Sequence, residues 1–151
     1  MKRILVKSVF DAFDYVMAHY YPCGLEEFAG MSDSYAVISI QDTHTGGFGF
    51  RFEESKSCVG ALTLYFDDIE SPVDGAVLFS KEQARQIIGF INENTDAETL
   101  LVHCYGGESR SRAVGAFAAE MLGGSRERYF ATGHPNMHVY NTLKECIQEY
   151  R

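Results

Sequence analysis

LLVHCYGGESRSRAVGAF, residues 100–117, is the stretch that decides the fold. Its apolar start predicts a buried strand at 99–103, and Gly106 with Gly107 predicts a tight turn after it. The small apolar residues beyond Arg110 predict a helix that runs to about Leu122 and stops at the glycine pair that follows. In α/β proteins a loop of this kind, directly after a strand, is where sites form.

Strands and helices alternate along the rest of the chain. Apolar and β-branched runs predict further strands at 3–6, 35–40 and 61–66, and residues 41–58 read as a loop or loose hairpin. Helices are predicted after Ser8, after the capping-box pair Ser80 and Gln83, and after Pro135. In the first helix we expect Phe10, Phe13, Met17 and Tyr20 to be core residues. The order predicts one α/β domain, residues 1–151, with a central mostly parallel sheet of about four to five strands flanked by helices.

Composition limits the functions open to this chain. A chain of 151 residues with 46% hydrophobic residues suits one domain, and the net charge of −8 argues against nonspecific binding of nucleic acid or acidic membranes. We find no long apolar run and no signal peptide, and therefore expect no membrane partner. The cysteines form no C-x-x-C pair, so we expect neither a metal site nor a disulfide framework, and a cytoplasmic location. The oligomeric state stays open.

The segment 104–110 has the parts of an anion site. The two glycines let successive N–H groups point inward, the next helix directs its N-terminus at the same place, and Arg110 offers a planar fork for two oxygens. These groups also favour the thiolate of Cys104, the nucleophilic form of a cysteine. His103 can steady the loop by a hydrogen bond to the backbone, and the Ser111 hydroxyl can stabilise the sulfur as a leaving group.

This pattern is similar to a known family. HCYGGESRS matches the H-C-x-x-G-x-x-R-[S/T] signature of cysteine-dependent protein tyrosine phosphatases, and Ser109 before the arginine resembles the compact dual-specificity branch. The chain also resembles a group of predicted bacterial and phage tyrosine phosphatases, which share an F-x-D-I element (here 66–69) and a Pro-Asn before the last helix (here 135–136). The resemblance covers about residues 60–122.

The resemblance implies a phosphomonoester hydrolase with a phosphocysteine intermediate. Cys104 would attack phosphorus, an aspartic acid would protonate the leaving oxygen, and Ser111 would assist release of the sulfur. No metal or cofactor would be needed. The phosphate-binding loop would comprise Tyr105, Gly106, Gly107, Glu108, Ser109 and Arg110.

Three aspartates compete for the role of general acid. Asp68 fits the F-x-D-I element and follows a strand, so it is the first choice. Asp67 is the close competitor, and Asp74 is the third. The alternative for one member of the pair is that it only caps or solvates the end of the strand.

The substrate implied is a phosphorylated protein or peptide, or a small phosphoester. The chain has no tryptophan, so the Trp-Pro-Asp loop of the larger tyrosine-specific enzymes is absent. Glu108 adds negative charge to the phosphate loop, which disfavours polyanions. The sequence does not distinguish phosphotyrosine from phosphoserine or phosphothreonine.

Other classes of function fit less well. A catalytically silent phosphate-binding or phosphopeptide-binding module would also keep Arg110 and the glycine turn. Arsenate reductases carry C-x5-R near their N-terminus, and rhodaneses use a shorter loop. His134 and His138 lack a third metal ligand, and the glycines at 46–49 lack the strand-to-helix setting of a dinucleotide site.

Overall fold

A computed structural model describes residues 1–28, 33–44 and 47–150 of the chain. The part of the expected loop at residues 45 and 46 lies outside the described residues. The strands are β1 (Arg3–Ser8), β2 (Tyr35–Gln41), β3 (Cys58–Tyr65) and β4 (Thr99–Cys104). The helices are α1 (Val9–Tyr20), α2 (Lys81–Glu93), α3 (Arg110–Met121), α4 (Glu127–Phe130) and α5 (Met137–Ile147), and a 3-10 turn (Gln148–Tyr150) follows.

The four strands form one parallel sheet in the order β1-β4-β2-β3. This confirms the prediction of an α/β fold with a mostly parallel sheet. Both central strands, β2 and β4, are buried along their whole length, as expected for strands with helices on both faces. Because all strands run the same way, the ends of β1, β2 and β4 meet at one edge, where Ser8 lies opposite Cys104.

Helices cover both faces of the sheet. The larger core lies between the sheet and α2, α3 and α5, and includes Leu100 and Val102 of β4. Leu101 points to the opposite face and packs under α1. The alternation of these neighbours is the ordinary two-residue period of a strand.

The predicted helix starts are confirmed by their hydrogen bonds. The Ser8 hydroxyl oxygen accepts from the Asp11 N–H at 3.1 Å, and Ser80 with Gln83 forms the expected capping box. At the start of α5, Asn136 Oδ1 accepts from the Val139 N–H at 3.0 Å. These caps hold the helices in fixed positions relative to the ends of the strands.

One prediction for α1 is wrong. Phe10, Phe13 and Met17 are 66%, 44% and 38% exposed, whereas Tyr20 is buried as expected. The helix carries two neighbouring apolar stripes, and the sheet covers only one of them. The covered stripe comprises Val9, Ala12, Val16 and Tyr20.

The helices that pack against the sheet are short. The longest one, α2, has 13 residues, against about 20 for a bilayer span. Within the described residues, no helix is long and apolar enough to cross a membrane. Cys23, Cys58, Cys104 and Cys146 are all free thiols.

Candidate active site

Cys104 ends strand β4 at the edge where three strands meet. The residue is buried, and its Sγ lies 3.1 Å from the Ser111 hydroxyl oxygen. The Gly107 N–H donates to the same sulfur at 3.2 Å. The sulfur therefore has a backbone N–H and a hydroxyl group within hydrogen-bond distance.

Gly107 is the glycine on which the shape of the loop depends. Its φ of +75° lies in the left-handed region, and a Cβ there would sit 2.6 Å from backbone atoms of Lys7 and Ser8. Gly106 is different, because a Cβ added there would meet no atom within 4 Å. The loop passes so close to the end of β1 that residue 107 must be glycine, whereas residue 106 has room for a side chain.

The Arg110 guanidinium has partners at Nη1 but not at Nε, among the described residues. Its side chain is buried, and Nη1 donates to the Phe66 carbonyl oxygen at 2.8 Å. The same Nη1 forms an ion pair with Asp42, with 2.7 Å between Nη1 and Oδ1. Within the described part of the chain, the buried Nε has no hydrogen-bond partner. A buried N–H without a partner costs free energy, and an oxyanion bound in the loop would satisfy it.

The first turn of α3 is also open to an anion. Ser109 is the N-cap residue, but its side chain makes no capping hydrogen bond. Its hydroxyl instead donates to Asp68 Oδ1 at 2.7 Å. The N–H groups of the first turn are thereby left for another acceptor, at the positive end of the helix dipole.

Asp68 contacts the loop that joins β4 to α3. The residue is exposed, and Oδ1 accepts from Ser109 and, at 2.9 Å, from the side-chain amide of Asn136. Asn136 is buried and also donates to the Ile69 carbonyl oxygen at 3.1 Å. The structure thus joins the F-x-D-I and Pro-Asn elements of the sequence at a single carboxylate.

Asp67 has a different environment. It is buried at 9% exposure, and it accepts hydrogen bonds from the Thr43 hydroxyl at 2.6 Å and the Val77 N–H at 2.8 Å. Burial alone would raise the pKa of this carboxyl, but the hydrogen bonds from Thr43 and Val77 outweigh burial and lower the pKa to about 2. Asp67 ties two loops together as a carboxylate. Asp74 is exposed in the loop between β3 and α2.

His103 lies beneath the loop as a neutral side chain. Burial, with a smaller contribution from the charge of Arg110, lowers the pKa of His103 to about 4. Nδ1 lies 3.2 Å from the Cys104 carbonyl oxygen, which can only accept, so Nδ1 carries the proton. Nε2 then accepts from the Ser39 hydroxyl at 2.7 Å, and the Gln41 amide donates to Ser39 at 3.2 Å.

The remaining loop side chains face solvent. Tyr105 is 55% exposed, and its ring contacts those of Phe10 and Phe48, with centroid distances of 6.2 and 5.9 Å. Glu108 is exposed, and its carbonyl oxygen accepts from the His134 N–H at 2.9 Å. One wall of the site is therefore aromatic, and Glu108 contributes an exposed acidic group.

Sequence reasoning missed three residues of the site. Asp42 anchors Arg110, Ser39 fixes His103, and Asn136 fixes Asp68, although Asn136 had been noticed as part of a shared element. Asp42 directly follows β2, so the rule that sites lie beyond strand ends could have found it. Ser39 and Asn136 gave no local signal for these contacts.

His138, near the start of the last helix, contacts a backbone carbonyl group. His138 Nε2 lies 2.8 Å from the Phe79 carbonyl oxygen. Across residues 1–28, 33–44 and 47–150, no three His, Cys, Asp or Glu side chains are grouped so that they could hold a metal ion.

Comparisons with known proteins found solved structures that are similar to this chain. No protein-family model matches the chain, and no curated protein is significantly similar to it. The human tyrosine phosphatase-like serine/threonine/tyrosine-interacting protein is 20% identical, with 79% of each chain covered and a TM-score of 0.52. Human DUSP28 is 15% identical over 98% of this chain and 95% of its own, with a TM-score of 0.48. Tk-PTP in its active form is 20% identical over 78% and 81%, with a TM-score of 0.45.

The likeness to the human phosphatase-like protein spans most of both chains. At 20% sequence identity it is evidence for the fold alone. The four-stranded parallel sheet flanked by helices is consistent with this likeness. The chain has the fold of the dual-specificity-like protein tyrosine phosphatases.

Proposed function

We propose that this protein is a phosphomonoester hydrolase of the protein tyrosine or dual-specificity phosphatase type, acting through a phosphocysteine on Cys104. The observation that carries the proposal is the buried guanidinium of Arg110. One side is occupied by Asp42 and Phe66, while Nε is buried without a partner among the described residues, in the same loop as the nucleophile. A phosphoryl oxygen is the acceptor that this fork fits.

In the first step, the Cys104 sulfur attacks phosphorus and an S–P bond forms as the P–O bond to the leaving group breaks. Arg110 and the loop N–H groups hold the equatorial oxygens, whose charge is present throughout the transfer. Asp68, protonated, gives its proton to the leaving oxygen.

In the second step, water attacks the phosphorus of the phosphocysteine. Asp68, now a carboxylate, takes a proton from this water, and the S–P bond breaks to release inorganic phosphate. The Ser111 hydroxyl, 3.1 Å from Sγ, stabilises the departing thiolate.

The geometry favours Asp68 over Asp67 as the general acid. An acid must be protonated to donate, and hydrogen bonds lower the pKa of Asp67 to about 2, which keeps it ionised. Asp68 is exposed and contacts Ser109 of the phosphate loop directly. We therefore assign Asp67 to holding the loop and Asp68 to the chemistry.

Phosphorylated proteins or peptides, and small phosphoesters, are the substrates we assign, and the cytoplasm is the location we assign. The net charge of −8 and the exposed Glu108 act against polyanionic substrates such as nucleic acid.

Hydrolysis of para-nitrophenyl phosphate tests the proposal. We expect turnover in the presence of a chelator, inhibition by vanadate, and complete loss of turnover in Cys104→Ser. Cys23→Ser, which changes an exposed thiol, is the control and keeps full activity. Protein that binds vanadate but never turns over would instead be a silent phosphate-binding module.

The acid assignment has its own test. Asp68→Asn is expected to remove the dependence of kcat on a protonated acid, while Asp67→Asn lowers stability. If Asp67→Asn alone changes the pH profile, the two roles are reversed.

A further inference from the structure

Apolar side chains form an exposed surface beside the phosphate loop. We call the rings of Phe10, Phe13, Phe48, Phe50 and Tyr105 the aromatic rim. The rings form two contacting groups: Phe13 packs edge-on against Phe50 at 5.5 Å, and Tyr105 contacts both Phe10 and Phe48. The two groups meet along α1, where Phe10 and Phe13 are three residues apart on the exposed side. Phe10, Phe13 and Tyr105 are exposed, whereas Phe48 and Phe50 are half-buried. A cluster of exposed apolar side chains marks a place where something binds.

The aromatic rim begins at the nucleophile. Tyr105 directly follows Cys104, and its carbonyl oxygen accepts from the Val9 N–H at 3.1 Å, at the first residue of α1. Phe10, the next residue of the helix, contacts the Tyr105 ring. A ligand bound at the aromatic rim would therefore lie close to the group that Cys104 attacks.

The exposed stripe on α1 then runs away from the loop. Phe10, Phe13 and Met17 share one side of the helix, at a spacing of three and four residues. Seven residues of helix span about 10 Å at about 1.5 Å per residue. An extended peptide covers this distance in about three residues.

Resting on the proposed function, we infer that the aromatic rim and Met17 bind apolar side chains that flank the phosphorylated residue of a peptide substrate. The site is thus built for phosphopeptides with a large apolar residue within about three positions of the phosphoryl group. The rim offers rings where a partner for acidic flanks would offer cations, and the net charge of −8 repels acidic peptides.

Peptide binding to Cys104→Ser protein tests this inference without needing turnover. The probes are phosphotyrosine peptides of equal net charge, with leucine or alanine at each of three positions on either side. We expect leucine to tighten binding at least about fivefold at one or more positions, the factor for an interface side chain worth about 1 kcal/mol. Adding Phe13→Ala or Met17→Ala should abolish this leucine preference.

Leu25→Ala is the matched control, because Leu25 is 78% exposed and lies outside the rim. The inference is overturned if Phe13→Ala and Met17→Ala both keep the leucine preference, or if no phosphopeptide binds. It is also overturned if sedimentation shows a wild-type dimer that Phe13→Ala dissociates, since a second copy would then occupy the rim.

The same preparations separate the two ideas. Turnover of para-nitrophenyl phosphate with no leucine preference leaves the proposed function standing and removes the docking surface. Leucine preference in binding, with no turnover by wild-type protein, supports the docking surface and removes the hydrolase.

Discussion

Replacing His103 by glutamine is expected to remove a pH-dependent part of the stability of this protein. The imidazole is fully buried, and burial lowers its pKa from 6.5 to about 4. Protonation is therefore easier in the unfolded chain, which binds the extra proton at a higher pH. The stability that the neutral His103 contributes is fully present above pH 6.5 and is lost as the pH falls toward 4.

The size of the effect follows from the pKa. Each pKa unit corresponds to about 1.4 kcal/mol, so the free energy of unfolding should fall by about 3 kcal/mol over this window because of His103. Asp67 acts in a different range. Its stabilisation is present above pH 3.8 and is lost as the pH falls through about 2.

Urea unfolding from pH 7.5 to 4.5 measures this contribution. Glutamine stays neutral over the range. It does not fill the space of the buried imidazole ring as well, so the variant is expected to be less stable at pH 7.5. The informative quantity is the difference between the two proteins, which should shrink by about 2–3 kcal/mol at pH 4.5. If wild type and His103→Gln lose stability in parallel, His103 is not a buried neutral side chain.

Three further predictions follow from the contacts of the site. Gly107→Ala should cost about 1–2 kcal/mol in urea unfolding from its backbone conformation alone, and Gly106→Ala should not. Asn136→Ser keeps an acceptor at the N-cap but loses the amide that donates to Asp68. Since the leaving group of para-nitrophenyl phosphate needs no proton, kcat should fall about tenfold more for alkyl phosphates than for this substrate. Equal losses of kcat for the two substrates would contradict this. Asp42→Asn removes the charge next to Arg110, so inhibition by vanadate should become more salt-dependent, and an unchanged dependence would argue against the ion pair.

Local signals in the sequence predicted the elements well. Ser8 and the pair Ser80 and Gln83 were recognised as helix starts, because a cap is decided by residues three positions apart. The strand before Cys104 and the helix after Arg110 were predicted from the apolar residues within each segment and from the glycines that follow the helix. Each of these features depends on neighbours along the chain.

Contacts that depend on the order of strands could not be predicted in this way. Asp42 reaches Arg110 only because β2 lies beside β4, although β3 and α2 separate them in the chain. Asn136 reaches Asp68 only because the start of α5 lies against the loop after β3. The exposure of Phe10 was missed because periodicity shows that a face is apolar, but not whether the sheet is wide enough to cover it.

The pairing of Arg110 with Asp42 explains how an acidic protein can present the site for a dianion that we propose. A buried guanidinium without a counterion would be costly, and Asp42 removes that cost while leaving a side of the fork open. The pair has little net charge, so attraction to phosphate cannot come from a long-range positive field. It must come from directed N–H groups, which are those of Arg110 and the first turn of α3. Such donors act at contact distance, where screening by salt and repulsion by distant carboxylates are weak, and this is why the net charge of −8 is compatible with an anion site.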